Sequence, residues 1–321
     1  MGIPKLNRYL MRHCSNKSID KKHLSLFYGK TIVVDTSIYL YKFNATDTLI
    51  ENMFQMIRIF QYYNIKPIFI FDGKPPEEKH ELLNERKMIK NEAETKYNDL
   101  SNKYDVLIAS KDKTQIAQAK LEDVRLEMEK LKGKFVRVKW TDTQNVKNLL
   151  NVMRIEHYTA DGEADVLCAH MVLNNVAWAC VSDDMDMFVY GCTRVMRYMS
   201  LFNHTVMFYN INGILRELKI PMSDFRKIAV MSGTDYNANQ TFNIGDVIKN
   251  YYMYKTTETD TDFCVWYSEN TKNEIDMEKI NHIYNMFSLT DHPFTMKTVE
   301  RKFDTSMTLS KFLRPYGFVF V

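Results

Sequence analysis

Seven acidic residues stand where predicted strands end or predicted helices begin, and their chemistry is that of a metal site. They are Asp35, Asp72, Glu163, Asp165, Asp184, Asp186 and Asp235. Glu163 with Asp165, and Asp184 with Asp186, are separated by a single residue, so both carboxylates of each pair can converge on one ion. Crowded carboxylates repel one another unless cations compensate them, and an all-oxygen ligand set favours Mg²⁺ or Mn²⁺ over zinc. Two such ions about 4 Å apart would activate a water molecule and stabilise the leaving oxygen of a phosphodiester.

Taken one at a time, these acids have an ordinary alternative role. An aspartate at the end of a strand commonly caps the following helix, and the neighbouring Asp161 and Asp183 are candidates for such caps. The metal-site prediction therefore depends on the whole set of acids.

A parallel α/β sheet would bring the acids together. Residues 31–35 and 67–72 have the pattern of buried strands, and residues 47–63 between them have helical periodicity. Strand, helix and strand in this order predict a parallel βαβ unit, whose ligands bind beyond the carboxyl ends of the strands. The remaining predicted elements are a strand at 177–183, a hairpin at 194–199 and 205–209, helices at 142–153 and 165–173, and paired short helices within 213–254 around a turn at 233–245.

Composition excludes several classes of protein. The 321 residues are 45% hydrophobic and 26% charged, as in globular proteins, and no apolar run reaches the roughly 18 residues of a membrane span. The ten glycines form neither a dinucleotide-binding fingerprint nor a phosphate-binding P-loop. The five cysteines contain no CxxC pair, and no signal peptide is recognisable, so we expect reduced thiols and an intracellular location in the nucleus or cytoplasm. A net charge of +3 does not by itself indicate a nucleic-acid partner.

Residues 77–134 differ from the rest of the chain. They contain 13 Lys or Arg and 13 Asp or Glu, with few aromatic residues and weak apolar periodicity. This composition predicts charged helices exposed to solvent, in the simplest case a solvated helical hairpin.

Six motifs in order resemble the flap endonuclease superfamily of structure-specific 5′ nucleases, over about residues 1–255. They are residues 1–6 (MGIPKL), 34–37 (VDTS), 71–76 (FDGKPP), 162–169 (GEADVLCA), 183–186 (DDMD) and 232–236 (SGTDY). The resemblance implies a PIN-like nuclease core, a central and mostly parallel sheet flanked by helices, with a helical arch at about 77–134 and a helix–two-turn–helix-like element at about 213–254. Residues 256–321 would form a C-terminal extension packed on the core.

The resemblance also implies roles for individual residues. The seven carboxylates would hold two Mg²⁺ ions, which Mn²⁺ can replace, and Lys79 and Arg86 at the base of the arch would contact the scissile phosphate. Without the preceding motif, these two cations would be read as ordinary helix-surface charges. Tyr41 would stack on a terminal base, the alternative being a core tyrosine, and Gly2 would lie close to DNA.

Three features depart from the family pattern. Gly245 falls where the helix–two-turn–helix element grips duplex DNA, with a K⁺ ion at its turn, but Asp246 follows where the family has phosphate-binding residues, so the grip would shift to Lys249. The spacer between Asp72 and Glu163 is longer than usual, which predicts an arch that is larger or partly disordered. The C-terminus lacks the motif of sliding-clamp binders.

The function implied is a Mg²⁺-dependent 5′ flap endonuclease and 5′→3′ exonuclease that acts as a monomer on DNA with a 5′ single-strand/duplex junction, in replication, repair or recombination. Three alternatives stay open: a 5′→3′ exoribonuclease, a Holliday-junction resolvase, and a DNA-binding homologue with an inactive site. The compact, lysine- and asparagine-rich sequence also suggests a member from a large DNA virus.

Overall fold

A seven-stranded sheet lies at the centre of the computed structural model, which describes residues 2–109, 114–237, 242–257, 259–289 and 308–320. In chain order its strands are β1 Ile19–His23, β2 Thr31–Asp35, β3 Lys66–Phe71, β4 Glu156–Thr159, β5 Ala179–Val181, β6 Arg194–Ser200 and β7 Thr205–Asn210. Their spatial order is β1-β7-β6-β5-β2-β3-β4, and β6, β5, β2, β3 and β4 run parallel, while β7 is antiparallel to both of its neighbours. The parallel strands therefore end at a common edge, as the strand pattern predicts.

Fourteen helices surround the sheet in the described residues. They are α1 Leu6–His13, α2 Thr36–Asn44, α3 Leu49–Tyr62, α4 His80–Ala109, α5 Gln115–Lys132, α6 Trp140–Val152, α7 Ala164–Leu173, α8 Asp186–Val189, α9 Ile211–Leu218, α10 Met222–Met231, α11 Ile244–Tyr254, α12 Phe263–Thr271, α13 Met277–Met286 and α14 Leu309–Leu313. The helices predicted at 47–63, 142–153 and 165–173 are confirmed as α3, α6 and α7. The region 213–254 contains the helices α9, α10 and α11 instead of a simple pair, and residues 238–241 of its predicted turn lie outside the described residues.

The central strand β2 is covered on both faces, which explains its unbroken apolar run. Val33 packs into a core with α7 and α9 to α13, while Ile32 and Val34 pack with α2, α3, α6 and α14 on the opposite face. Each apolar side chain buried in this way contributes on the order of 2 kcal/mol. The two cores hold the strands, and thus the residues at the strand ends, in fixed positions.

The third parallel strand is shorter than its sequence pattern predicts. Residues 177–183 read as one strand, but β5 ends at Val181. Ser182 lies just outside the strand, although its backbone N–H still donates to the Met196 carbonyl oxygen at 3.2 Å, and its hydroxyl donates a hydrogen bond to the Asp35 carboxylate at 2.9 Å. The pattern marked a buried segment correctly and made the strand two residues too long at each end.

The predicted charged hairpin is confirmed as α4 and α5, which pack along each other. Helix α4 has 30 residues and is therefore about 45 Å long. Among the described side chains of the two helices, Ala93 and Val124 are the buried apolar ones. We call α4 and α5 the arch.

The C-terminal residues contribute to both cores. Phe263, Tyr267 and Ile280 from α12 and α13 are buried beside α10 and α11, while Phe312 and Leu313 from α14 are buried against α3 and α6. In the described part of the chain, no helix combines the length and the apolar character needed to cross a membrane.

Candidate active site

Two of the acids lie at the ends of adjacent parallel strands. Asp35 is the last residue of β2 and is 6% exposed, and Asp72 follows β3 directly. The Asp72 carboxylate accepts hydrogen bonds from the hydroxyl of Ser37 and, at 2.8 Å, from the backbone N–H of Ala164 at the start of α7. The Ala164 bond ties the end of β3 to the helix that carries the next two acids.

A close approach of two backbone segments brings Asp72 beside Glu163. The Gly73 N–H donates to the Gly162 carbonyl oxygen at 2.7 Å, and a Cβ on Gly73 would lie 2.0 Å from the carbonyl oxygen of Ala160. No side chain fits at such a distance, so glycine is required here. This explains why the FDGKPP motif needs its glycine.

Asp184 and Asp186 follow β5 and face the N-terminal segment. The backbone N–H of Asp186 donates to Asp184 Oδ1 at 3.1 Å. Gly2 has a φ of 76°, and a Cβ at this position would clash with the carboxylate oxygens of both aspartates. Gly2 therefore lies against the acids, and its contact with DNA stays a prediction.

The base of the arch supplies two cations to the acids. Lys79 Nζ lies 2.5 Å from Glu163 Oε1 and 4.0 Å from Asp235 Oδ2, and Arg86 Nη2 donates to Asp235 Oδ2 at 2.8 Å. Lys79 is 8% exposed, so its reading as a helix-surface charge is wrong. These ion pairs join Asp235, which is distant in sequence and follows α10, to the acids of α7.

The protonation equilibria show how crowded these carboxylates are. Burial, followed by the charge of Asp72, raises the pKa of Asp35 to about 8. Burial and Glu163 raise the pKa of Asp165 well above its ordinary value, and burial and Asp184 do the same for Asp186. Burial alone would lower the pKa of Lys79, but Asp165 and Glu163 raise it overall. Negative charge is thus in excess, and Lys79 compensates part of it.

The donor set suits hard divalent cations. Asp186 Oδ1 is buried and accepts no hydrogen bond from the described residues, so an electron pair is left for another partner. Within the described ranges, no three His, Cys, Asp or Glu side chains close on a common point as a preformed metal site. An all-carboxylate group with a buried, unsatisfied oxygen fits Mg²⁺ or Mn²⁺.

Tyr236 belongs to the site but was not singled out from the sequence. Its hydroxyl donates to Glu163 Oε2 at 2.6 Å, and Lys79 Nζ lies 4.9 Å from the centre of its ring. Burial and Glu163 raise the pKa of its phenol. The sequence feature that could have identified Tyr236 is its place in the SGTDY motif, directly after Asp235.

Asp183 has a structural role, but it stabilises a loop and does not cap a helix as its position predicts. Its Oδ1 accepts from the backbone N–H of Tyr198 at 2.6 Å, and its carbonyl oxygen accepts from buried Arg197. These bonds join the loop after β5 to the end of β6 and hold Asp184 in place.

The other expected DNA contacts lie apart from the acids. Tyr41 on α2 is 44% exposed, so its interpretation as a core residue is wrong, and Lys90 Nζ of the arch lies 4.6 Å from the centre of its ring. Gly245 lies in the first turn of α11, where Asn243 accepts its backbone N–H at 2.9 Å, and Lys249 is exposed on the same helix.

Two family models match the chain. The XPG N-terminal domain matches residues 1–93 and the XPG I-region matches residues 154–235, so they span all seven acids. Flap endonuclease 1 of Methanococcus aeolicus is 30% identical over 261 residues, covering 74% of this chain and 74% of the relative. The chain belongs to the XPG flap endonuclease family.

Other relatives extend the range of organisms. Flap endonuclease 1 of Zea mays is 27% identical over 256 residues and that of Caenorhabditis elegans 26% over 255, each covering 74% of this chain. The chain spans 62% and 61% of the length of these two relatives. Membership of the family makes the protein a metal-dependent nuclease, which hydrolyses phosphodiesters.

Solved structures share the fold. The catalytic core of Rad2 in complex with DNA substrate is 20% identical with a TM-score of 0.62, covering 98% of this chain and 99% of that one. The flap endonuclease-1 of Methanococcus jannaschii is 20% identical with a TM-score of 0.60, covering 93% and 90%. The expected PIN-like nuclease fold is confirmed. The viral origin and the intracellular location stay predictions.

Proposed function

We propose that this nuclease is a structure-specific 5′ flap endonuclease and 5′→3′ exonuclease that cuts DNA where a 5′ single strand meets duplex, in replication, repair or recombination. The observation that carries the proposal is the ion pairing of Lys79 and Arg86 with Glu163 and Asp235. Through these contacts the base of a helical arch and a carboxylate-lined sheet edge form one site. A strand that passes the arch would therefore meet the carboxylates at its base.

The carboxylates would hold two Mg²⁺ ions, with Mn²⁺ able to replace them. Their proposed ligands are Asp35, Asp72, Glu163, Asp165, Asp184, Asp186 and Asp235. Bound ions of this kind supply an activated water molecule and neutralise charge on the leaving oxygen. The buried and unsatisfied Asp186 Oδ1 and the raised pKa values of Asp35 and Asp165 support this assignment.

Lys79 and Arg86 would exchange their carboxylate partners for oxygens of the scissile phosphate. Lysine acts as a point charge, and the arginine fork can bind two oxygens at once. Lys79 is buried, and its partner Glu163 also accepts a hydrogen bond from the Tyr236 hydroxyl. The ammonium group of Lys79 is therefore positioned before substrate arrives. Preorganised positive charge of this kind stabilises the charge that develops on a phosphoryl group in the transition state.

Duplex DNA would be held at the start of α11. The proposed contacts are the backbone at Gly245, a K⁺ ion near this turn, and the exposed Lys249. The carboxylate of Asp246 in the first turn repels phosphate, so we expect a weaker grip than a basic residue would give. The proposed partner is DNA with a 5′ single-strand/duplex junction, bound by a monomer.

Cleavage of end-labelled substrates with Mg²⁺ at a fixed salt concentration tests this function. The set comprises a 5′ flap, a nick, blunt duplex, a four-way junction and single-stranded RNA. We expect the flap to be cut fastest, close to its junction with duplex. Faster degradation of RNA than of the flap would favour the exoribonuclease, symmetric cutting of the four-way junction without flap cutting would favour the resolvase, and binding without any cutting would favour an inactive homologue.

A further inference from the structure

Trp140 is left in water, which is unusual for a large apolar side chain. It is the first residue of α6 and is 75% exposed, whereas Trp266 is 9% exposed and Trp178 stacks on Phe208 with ring centres 5.6 Å apart. A tryptophan side chain that stays exposed adds little to the stability of the fold. Its exposure therefore indicates that this part of the surface contacts another molecule.

The topology places Trp140 at the same edge of the sheet as the carboxylates. Helix α6 leads from the arch into β4, which runs parallel to β3, so the helix begins at the carboxyl edge and descends along the sheet. Asn44 at the end of α2 donates to the Arg137 carbonyl oxygen at 2.9 Å and reaches Asp142 at 3.4 Å. The backbone N–H of Lys139 in turn donates to Asp142 Oδ2 at 2.8 Å. These bonds hold the segment that carries Trp140 beside the helix that carries Tyr41.

Arg137 lies in this segment, between α5 and α6, and Lys90 lies on α4 of the arch. Arg137 Nη2 pairs with Glu94 at 2.6 Å and also donates to Asn91 on α4, and Lys90 lies over the Tyr41 ring. Burial, and then the positive charges of Arg137 and Arg86, lower the pKa of Lys90. A cation thus lies over the exposed Tyr41 ring, and the exposed Trp140 follows Arg137 by three residues. Exposed aromatic rings and cations are the combination that binds single-stranded nucleic acid through stacked bases and phosphates.

We propose that Trp140 is a stacking site for an unpaired base of the 5′ single strand, at the rim where α6 meets the arch. This inference rests on the proposed flap endonuclease function and adds a second aromatic contact to that of Tyr41. Lys90 and Arg137 bind the adjoining phosphates. The ligand is chemically a nucleobase with its phosphates, and any base is accepted because every base has a π-face.

Intrinsic fluorescence tests the stacking without requiring cleavage. The protein in EDTA is titrated with a flap substrate carrying a thymine flap and with the same substrate carrying an abasic flap of equal length and charge. We expect the thymine flap to quench tryptophan emission, the abasic flap to leave it largely unchanged, and the quenching to disappear in Trp140→Phe. Equal quenching by both flaps, or quenching that persists in Trp140→Phe, would overturn the proposal.

Binding affinities give a second readout with a matched control. Trp140→Ala should weaken binding of the thymine flap about tenfold and leave binding of the abasic flap unchanged, since one stacked base is lost. Trp140→Phe should recover most of the affinity, and Phe202→Ala, which removes a 91% exposed ring from the β6–β7 turn, should change nothing. An unchanged affinity of Trp140→Ala would refute the stacking role. Failure of the wild type to cut any flap would refute the proposed function while leaving this measurement interpretable.

Discussion

The carboxylate edge and the arch meet at Lys79, yet they are built in opposite ways. The edge is fixed by strands with both faces buried, such as β2 with Val33 on one side and Val34 on the other. In the arch, Ala93 and Val124 are the buried apolar residues among the described side chains. Its other described contacts are largely charged pairs at the surface, such as Arg125 with Glu122. Surface pairs of this type contribute about 0–1 kcal/mol each.

The contrast separates two tasks of a nuclease. Like charges can be held together at the edge because the surrounding core supplies the stability that their repulsion removes. The arch needs little stability of its own, since segments that admit a ligand are drawn from the less stable parts of a structure. We therefore expect changes at the edge to alter chemistry and changes in the arch to alter access.

The largest effect should follow from removing one carboxylate charge at the edge. Asp184→Asn should reduce the single-turnover cleavage rate below a few per cent of wild type while keeping flap affinity within about tenfold, because a metal ligand is lost and the phosphate-binding cations stay. Asp20→Asn, on the outermost strand β1, is the matched control and should cleave normally. Substantial activity of Asp184→Asn would remove this residue from the proposed ligand set.

The contact between the two regions should give the next largest effect. Lys79→Ala and Lys79→Met should lower the single-turnover rate about 100-fold with little change in the dissociation constant, since the ammonium group acts mainly in the transition state. If affinity fell in parallel while the rate at saturation did not, Lys79 would be a phosphate anchor instead.

The same variants should change how metal affects stability. Lys79 compensates Glu163 and Asp235 in the metal-free protein, so its loss should lower Tm in EDTA more than in Mg²⁺. Thermal unfolding with and without metal measures this difference. An equal loss of Tm under both conditions would mean that Lys79 does not take the place of a cation.

Access through the arch can be tested from the substrate side. A protein block attached to the 5′ end of the flap before the enzyme is added should slow cleavage at least about tenfold, because the strand can no longer be positioned at the carboxylates. Attaching the block after the enzyme has bound is the control and should leave the rate unchanged. Equal rates in both orders would show that the strand does not pass through the arch.

The smallest effect is expected from the stability of the arch itself. Ile70→Ala in β3 removes a fully buried side chain and should cost about 2–5 kcal/mol of the free energy of unfolding. Val124→Ala in α5 should cost about 1 kcal/mol, because the higher helix propensity of alanine offsets part of the loss of two buried methyl groups. Urea unfolding compares the two variants. A cost at Val124 as large as that at Ile70 would mean that the arch belongs to the cooperative core.

Much of the edge could be predicted from the sequence because its signals are local. Strand β2 has the bounds that its apolar run indicates, and Asp35 ends it directly before α2. The bounds of β5 were missed because the buried run continues beyond the residues that pair with β2 and β6, and that pairing joins segments far apart in the chain. The arrangement of three helices, α9, α10 and α11, was also missed, because apolar periodicity indicates that helices form and does not indicate how they pack.

By itself the sequence determined the inventory of the site: which acids stand at the ends of strands, that oxygen ligands favour Mg²⁺ or Mn²⁺ over zinc, and that residues 77–134 form charged helices exposed to solvent. These follow from composition and spacing, which are properties of neighbouring residues. The tertiary structure decided the partners. It buried Lys79, set it between Glu163 and Asp235, added Tyr236 behind it, and left the Trp140 ring in water at the start of α6. Such contacts join residues tens to more than a hundred positions apart, and their geometry is fixed when the two cores pack, so no local pattern encodes them.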